Sequence, residues 1–397
     1  MNPIVGLIIA FALIVVLTVK KYNVALSIAI GAIALAISYG ASVQDFVGLS
    51  IRALEDFQTL NLTLQVATIG ILAHCMKETG LIDDLIAGLR TMLPSRALLA
   101  VIPAIMGLMP MPGGALLSAP LIDKEADKLG LTREKKVAVN ITFRHIWFYV
   151  FPLSSSLILT AGLAGINLYQ LILVQLPSFF LSVALGYVFF LRRSSHNRDP
   201  KVKKTYGIVA KGFAPIVTAI SLNLAGVALV ASVMLGILTA LLIKRIRPLK
   251  SLRLLWKGIP WTAALSVLSV MVLRYTIEDS RAISLLFDIL KGNKVPLVVF
   301  ATLFPFVIAA VSGLAIAGIG ISIPFVLPLF GVGTPALASM IVLSTYLGYY
   351  ISPLHLCLVL SNQYFNARIH GVYRFWIPYN LMVCGLGMLL DFFLLTR

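Results

Sequence analysis

The chain has 397 residues, 59% of them hydrophobic and 12% charged, with a mean hydropathy of +0.98. A soluble domain carries about a quarter charged residues, so this composition excludes an ordinary cytosolic enzyme and points to a polytopic membrane protein. The net charge of +17, from 32 Lys and Arg against 15 Asp and Glu, would suggest nucleic acid in a soluble chain. Here the basic residues fall in short segments between apolar runs, where they set orientation, and no nucleic-acid partner is expected.

A helix needs about 20 apolar residues to cross a bilayer. Hydropathy predicts ten spanning helices: 3–19, 23–39, 60–77, 137–163 and 166–191 in the first half, then 208–224, 226–243, 260–276, 335–361 and 374–395. The first run is followed, rather than preceded, by Lys20 and Lys21, so it is read as a span and not as a removable signal peptide. Cys75, Cys357 and Cys384 all lie within apolar runs. They show no paired metal spacing and no disulfide framework, and no metal site is expected.

Two interrupted stretches fall between the third and fourth helices of each half. The first, 97–123, breaks at Met111-Pro112-Gly113-Gly114; the second, 295–330, turns through Ser312-Gly313-Leu314-Ala315-Ile316-Ala317-Gly318. Each arm is too short to span, and Pro and Gly break any single helix through the turn, so both read as re-entrant hairpins. With the N-terminus outside, 25 of the 32 basic residues fall in predicted cytoplasmic segments. That asymmetry supports ten crossings of the inner membrane with both termini outside.

The halves resemble each other. A shift of 201 places Tyr149-Val150-Phe151-Pro152-Leu153 on Tyr350-Ile351-Ser352-Pro353-Leu354, and a shift of 204 places Ser118 and Pro120 on Ser322 and Pro324. Five crossings per half is odd, so the second copy is inverted: residues 1–192 form one repeat, 193–206 a cytoplasmic linker and 207–397 the other. The expected fold class is thus an all-α membrane protein of two inverted five-helix repeats, each with a hairpin and a broken helix. That is the architecture of secondary transporters, with the substrate site near the midplane.

Irregular backbone at membrane depth is tolerated only where it is buried or lines a cavity, which makes the breaks the site candidates. Pro152 and Pro353 interrupt 137–163 and 335–361, and the neighbouring serines can satisfy freed carbonyls or contact a ligand. Two hairpin tips facing two broken helices would make a four-walled pocket whose helix N-termini favour an anion. Arg144, inside a predicted span, either meets a substrate carboxylate or phosphate or snorkels to headgroups from one turn inside the cytoplasmic end. His145 and His355 could exchange protons, and Asn362 joins them as a coupling candidate. His74 is a weaker candidate. Glu78 and Glu278 read as solvated interface charge, and Asp123 as the cytoplasmic end of the first hairpin. No acidic residue falls clearly at mid-membrane, which favours an anionic cargo; the coupling ion is Na+ or H+, with no other cofactor. The segments Val43–Phe57 and Arg247–Trp256 are amphipathic and equivalently placed, suited to lie along the interface as arms.

The pattern resembles the ion-transporter superfamily of dicarboxylate, citrate, gluconate and arsenite carriers, and PMPGGALLSAPLID at 110–123 resembles the prokaryotic membrane family catalogued as domain of unknown function 401. The architectural likeness covers nearly the whole chain; the motif likeness is confined to hairpins and breaks. The resemblance implies a homodimer in which tips and breaks bind substrate and move as an elevator against a scaffold. Carried over by position, the substrate-binding residues are Gly113, Gly114, Ser118, Ser154, Ser155, Ser156, Ser312, Gly313, Ser322 and Ser352 through His355. The Ser-Asn-Thr tips of the dicarboxylate carriers are absent from both hairpins, which leaves the substrate open.

The leading expectation is a secondary active transporter of a small organic anion. No Gly-x-x-x-x-Gly-Lys loop is present to bring direct ATP drive, and no His-Glu-x-x-His for a zinc peptidase. The rivals are an intramembrane enzyme or flippase acting on a lipid phosphate, which would need dense acidic and basic groups at the breaks, and a passive channel.

Overall fold

Backbone inside a bilayer must close its own hydrogen bonds, and in the computed structural model all regular structure among the described residues is helical. Residues 3–108, 114–192, 205–331 and 333–396 are described. The first half holds α1 (Pro3–Val19), α2 (Val24–Tyr39), α3 (Val43–Glu55), α4 (Phe57–Glu78), α5 (Leu81–Arg90), α6 (Ser95–Gly107), α7 (Ala115–Lys128), α8 (Arg133–His145), α9 (Ser155–Ala164) and α10 (Leu168–Gly186). The second repeats that order: α11 (Tyr206–Leu224), α12 (Leu229–Ile243), α13 (Pro248–Lys257), α14 (Trp261–Asp279), α15 (Ala282–Gly292), α16 (Leu297–Ser312), α17 (Ala315–Val326), α18 (Pro335–Ile351), α19 (Leu356–Tyr364) and α20 (Ile369–Leu395).

Local chemistry sets several of these boundaries. Asn23 Oδ1 accepts from the Ala25 and Leu26 amides, Ser42 and Asp45 form a reciprocal capping box, and Asp56 accepts from the Thr59 amide. Small residues let the membrane helices approach: a Cβ at Gly31 would lie 2.3 Å from Ile14 Cγ1, and one at Gly70 would lie 2.4 Å from Pro260 Cγ.

The contacts between halves are reciprocal. α2 packs on α14 as α12 packs on α4; α1 touches α15 as α11 touches α5; α7 meets α19 as α17 meets α9; α10 lies on α18 as α20 lies on α8. Contacts in which i meets j and their counterparts meet in return follow the pattern of an isologous interface.

The structure adds to the sequence reading in three places. The amphipathic stretches are helices α3 and α13, whose apolar faces leave Val43, Leu249 and Trp256 exposed. The connections 79–96 and 280–295 contain α5 and α15, short amphipathic helices that a search for long apolar runs passes over. By length and composition, among the described residues, five helical stretches suffice to cross a membrane: α4, α10 with its π-helical extension to Leu191, α11, α18 with α19, and α20. The bent pair α13–α14 makes a sixth. The chain is therefore a multi-pass membrane protein. α1, α2 and α12 run only 17, 16 and 15 residues, so the tenfold crossing is not settled by helix length. Most of the expected linker, and Gly113 with the rest of the first tip at 109–113, lie outside the described residues.

Close packing yields a test. A Cβ at Gly348 would sit 2.1 Å from the Phe306 carbonyl oxygen, whereas one at Gly385 meets nothing within 4 Å. Gly348→Ala is expected to cost on the order of 1–3 kcal/mol, read as a lowered unfolding temperature in detergent, while Gly385→Ala leaves it unchanged or slightly raised.

Candidate functional site

α8 carries one polar stripe at four-residue spacing, Lys136, Asn140 and Arg144, and each member holds the first hairpin. Lys136 Nζ pairs with Asp123 at 2.5 Å and Asp127 at 2.7 Å on α7. Asn140 Nδ2 donates to the Ala115 carbonyl at 2.9 Å and to Ser361 Oγ at 2.9 Å, and its Oδ1 accepts from Ser118 at 2.6 Å. Arg144 Nη1 donates to the Met106 carbonyl at 2.7 Å. A Cβ at Gly114 would lie 2.1 Å from Arg144 Nη2, so the guanidinium wedges between the last turn of α6 and the first of α7. It is 4% exposed. The side chain is thus enclosed by protein, which suits the inward-facing of the two readings open for Arg144. The C-terminal dipole of α6 favours the cation, while the guanidinium and the amides opening α7 converge as anion-attracting groups.

The second half closes its hairpin differently. Ser344 donates to the Thr302 carbonyl and Ser352 to the Ala310 carbonyl at 2.6 Å, with Gly348 against the Phe306 carbonyl between them. Gly313, at φ +67°, presses against the Leu354 backbone in the break. Here small residues reach successive turns of α16, where the first half uses charge and amide.

Both predicted breaks are present. The 137–163 stretch divides into α8, a 3-10 turn at Ile146–Tyr149 and α9, and 335–361 into α18 and α19 around Pro353. The carbonyls freed there are met by aromatic side chains more than by the serines expected to do so. Tyr346 donates to the Phe148 carbonyl, and Tyr373 and Trp376 to those of Ile351 and Tyr350. The two breaks meet: the rings of His145 and His355 lie 5.0 Å apart, both buried. His145 Nδ1 sits 2.5 Å from the Ile141 carbonyl, which assigns it as the donor and leaves Nε2 facing the Tyr349 hydroxyl at 3.4 Å. The Tyr349 ring lies 4.0 Å from that of His355 at a tilt of 42°, and neither His355 ring nitrogen makes a well-aligned hydrogen bond.

Cys357 joins this centre. The ligand atoms of His145, His355 and Cys357 lie within 4.8 Å of one another, a donor set that suits a soft cation, although Arg144 beside His145 opposes positive charge. Sequence spacing hid this grouping because the break, not a short motif, brings the three together.

Residues 4–393 match the family described as Protein of unknown function (DUF401). The chain belongs to the DUF401 family. Its fold is similar to that of the Alcanivorax borkumensis YdaH transporter, with a TM-score of 0.61 and 16% identity over 87% of this chain and 86% of that one. No curated protein matches the sequence.

In this DUF401 protein the expected site residues sort into two groups. Arg144, His145, Gly114, Ser312, Gly313, Ser352 and His355 gather along the tips and breaks. Ser118 is joined to Asn140, and Asn362 lies next to Ser361 with its Oδ1 buried and without a hydrogen bond. Ser154 and Ser155 open α9, Ser156 lies near Tyr346, and Ser322 is buried in α17 with its hydroxyl without a partner. The meeting point is filled by the rings of His145, Phe148, Tyr346, Tyr349 and His355 rather than forming the expected four-walled pocket. A cavity of about 430 Å³ lies instead between α4, α9, α10 and α11, lined by Gln58, Asn61, Gln65, Asn167 and Asn223. Elsewhere Glu78 is exposed, and Glu278 pairs with Arg274 at 2.9 Å in a partly exposed ion pair.

Asn140 was not singled out in the sequence, and it supplies a direct test. Replacing it with Leu leaves the Ser118 and Ser361 hydroxyls without that partner, at about 1–3 kcal/mol for each buried group. In a double-mutant cycle read by thermal unfolding, Ser118→Ala is expected to cost less in the Asn140→Leu background than alone.

Proposed function

We propose that the protein is a secondary active transporter of a small organic anion, coupled to an ion or proton gradient. The observation that carries this reading is the Arg144 guanidinium, buried against Gly114 where α7 opens. A cation and a helix N-terminus converging at a hairpin tip attract a carboxylate, and the fold similarity to a transporter agrees with a carrier. The inverted layout of ten crossings, a homodimer and elevator-type movement of hairpins and breaks against the remaining helices are part of the same proposal. His145 and His355, one from each break, are placed to take up a proton as the anion leaves or arrives. A lipid-phosphate enzyme finds less support: the polar partners of His145 are the Ile141 carbonyl and the Tyr349 hydroxyl rather than a carboxylate.

A thermal-shift panel of mono-, di- and tricarboxylates, with sodium varied and pH scanned, tests this directly. One class of anion is expected to stabilise the wild type, with at least a tenfold weaker apparent affinity in Arg144→Gln, the loss of a charge-assisted bond worth about 1.5–3 kcal/mol. Equal stabilisation in both proteins, or turnover of a polyprenyl phosphate by the wild type, contradicts it.

A further inference from the structure

We propose that Gln175, Ser339 and Asp391 form a buried proton-binding site, apart from the helix breaks, that links transport to a proton gradient. The coupling role rests on the transporter reading above; the existence of the site does not.

Asp391 lies one turn from the end of α20 and is 2% exposed. The sequence reading passed over it, because an acid close to a helix end looks solvated. Packing places it otherwise. One turn earlier, a Cβ at Gly387 would lie 2.2 Å from Ser178 Oγ on α10 and 2.7 Å from Leu343 Cδ1 on α18. α20 runs antiparallel to both: Trp376 reaches Tyr350, and Tyr379 reaches Ser182. Moving one turn from Gly387 to Asp391 therefore moves from Leu343 back to Ser339 and from Ser178 back to Gln175. Ser339 adjoins the Asp391 carboxyl, and Ser339 and Gln175 are fully buried. Both amide atoms of Gln175, the Ser339 hydroxyl and Asp391 Oδ2 lack a well-formed hydrogen bond. Three helices thus aim four unsatisfied polar atoms at one level, where such groups are expensive to leave unmet.

A carboxylate buried there without a counter-charge costs several kcal/mol, so it calls for a cation. The surroundings favour a proton over sodium. Carriers complete a sodium shell with carbonyls of unwound helices, but α10, α18 and α20 are helical at this level, where Pro177 of α10 frees only the Leu173 carbonyl. Three side chains make a thin shell for a metal ion. For a carboxylic acid they suffice once the Gln175 amide turns toward it: the O–H would donate to Gln175 Oε1, and Gln175 Nε2 and Ser339 would donate to the other oxygen. The last two donors also serve the ionised form, so the site accommodates both states. The titratable groups nearest on these elements are uncharged and otherwise engaged. Tyr169 of α10 donates to Asn223, Tyr346 of α18 to the Phe148 carbonyl, and Cys384 of α20 lies 3.8 Å from Tyr149 of the 3-10 turn. The charges of α8 lie toward the far end of α20, where Glu134 meets Gly371. α18 runs from Ser339 to the break at Ser352, which gives the site a direct mechanical connection to the hairpin.

Infrared difference spectroscopy on the full-length reconstituted protein tests the site. A protonated carboxyl band that titrates in the neutral range, is lost in Asp391→Asn and is insensitive to sodium is the expected result. Ser339→Ala, which keeps the carboxyl, is expected to shift the midpoint of that band. Uptake driven by a pH gradient should be lost in Asp391→Asn. A spectrum unchanged by Asp391→Asn, or a carboxyl signal displaced by sodium, overturns the proposal. If no anion moves in the wild type while the band titrates as stated, the transporter reading fails and the proton site stands.

Discussion

The stripe of Lys136, Asn140 and Arg144 on α8 is the constraint on which the candidate site depends. Each side chain is buried, and each engages the hairpin packed beside it: two carboxylates for the lysine, a carbonyl and a hydroxyl for the amide, which also reaches Ser361 of α19, and the end of α6 for the guanidinium. A buried charge stripped of its partners costs far more than the pair contributes. The stripe therefore works mainly by excluding arrangements in which α7 leaves α8. With the hairpin held, Gly114 is fixed against Arg144, and His145, the next residue, is fixed against the second break.

The second half reaches the same architecture with different chemistry. Ser344, Gly348 and Ser352 repeat the four-residue spacing on α18 and meet carbonyls of α16 at Thr302, Phe306 and Ala310. One hairpin is held by ions and an amide, the other by hydroxyls and close backbone approach. The reciprocal contacts keep the halves equivalent in shape, while charge distinguishes them: the only buried Arg at the breaks, among the described residues, belongs to the first. An anion would thus meet unequal walls, one basic and one neutral.

Much of this was legible in the chain. Pro152 and Pro353 marked breaks because proline removes a helical hydrogen bond, and the short apolar arms around 109–113 and 312–318 marked hairpins because they cannot span a bilayer. What was hidden depended on three-dimensional neighbours. Lys136 lies just outside the predicted 137–163 helix and Asn140 was not singled out, although their spacing with Arg144 already outlined a face. Cys357 seemed isolated because one of its two partners, His145, comes from the other break. α5 and α15 were missed since neither has an apolar run, only an apolar side. The serines near the breaks were expected to meet the freed carbonyls, but Tyr346 from the other half and Tyr373 and Trp376 from the same half perform most of that task.

The account stands on the first hairpin entering and leaving by one face. Single cysteines at Ala97 and Lys124, placed in a background lacking Cys75, Cys357 and Cys384, can be labelled with a membrane-impermeant maleimide in right-side-out and inside-out vesicles. Both sites are predicted to react in the inside-out vesicles and to be protected in the right-side-out ones. Reaction of the two from opposite faces would contradict the clamped hairpin and the transporter layout built on it.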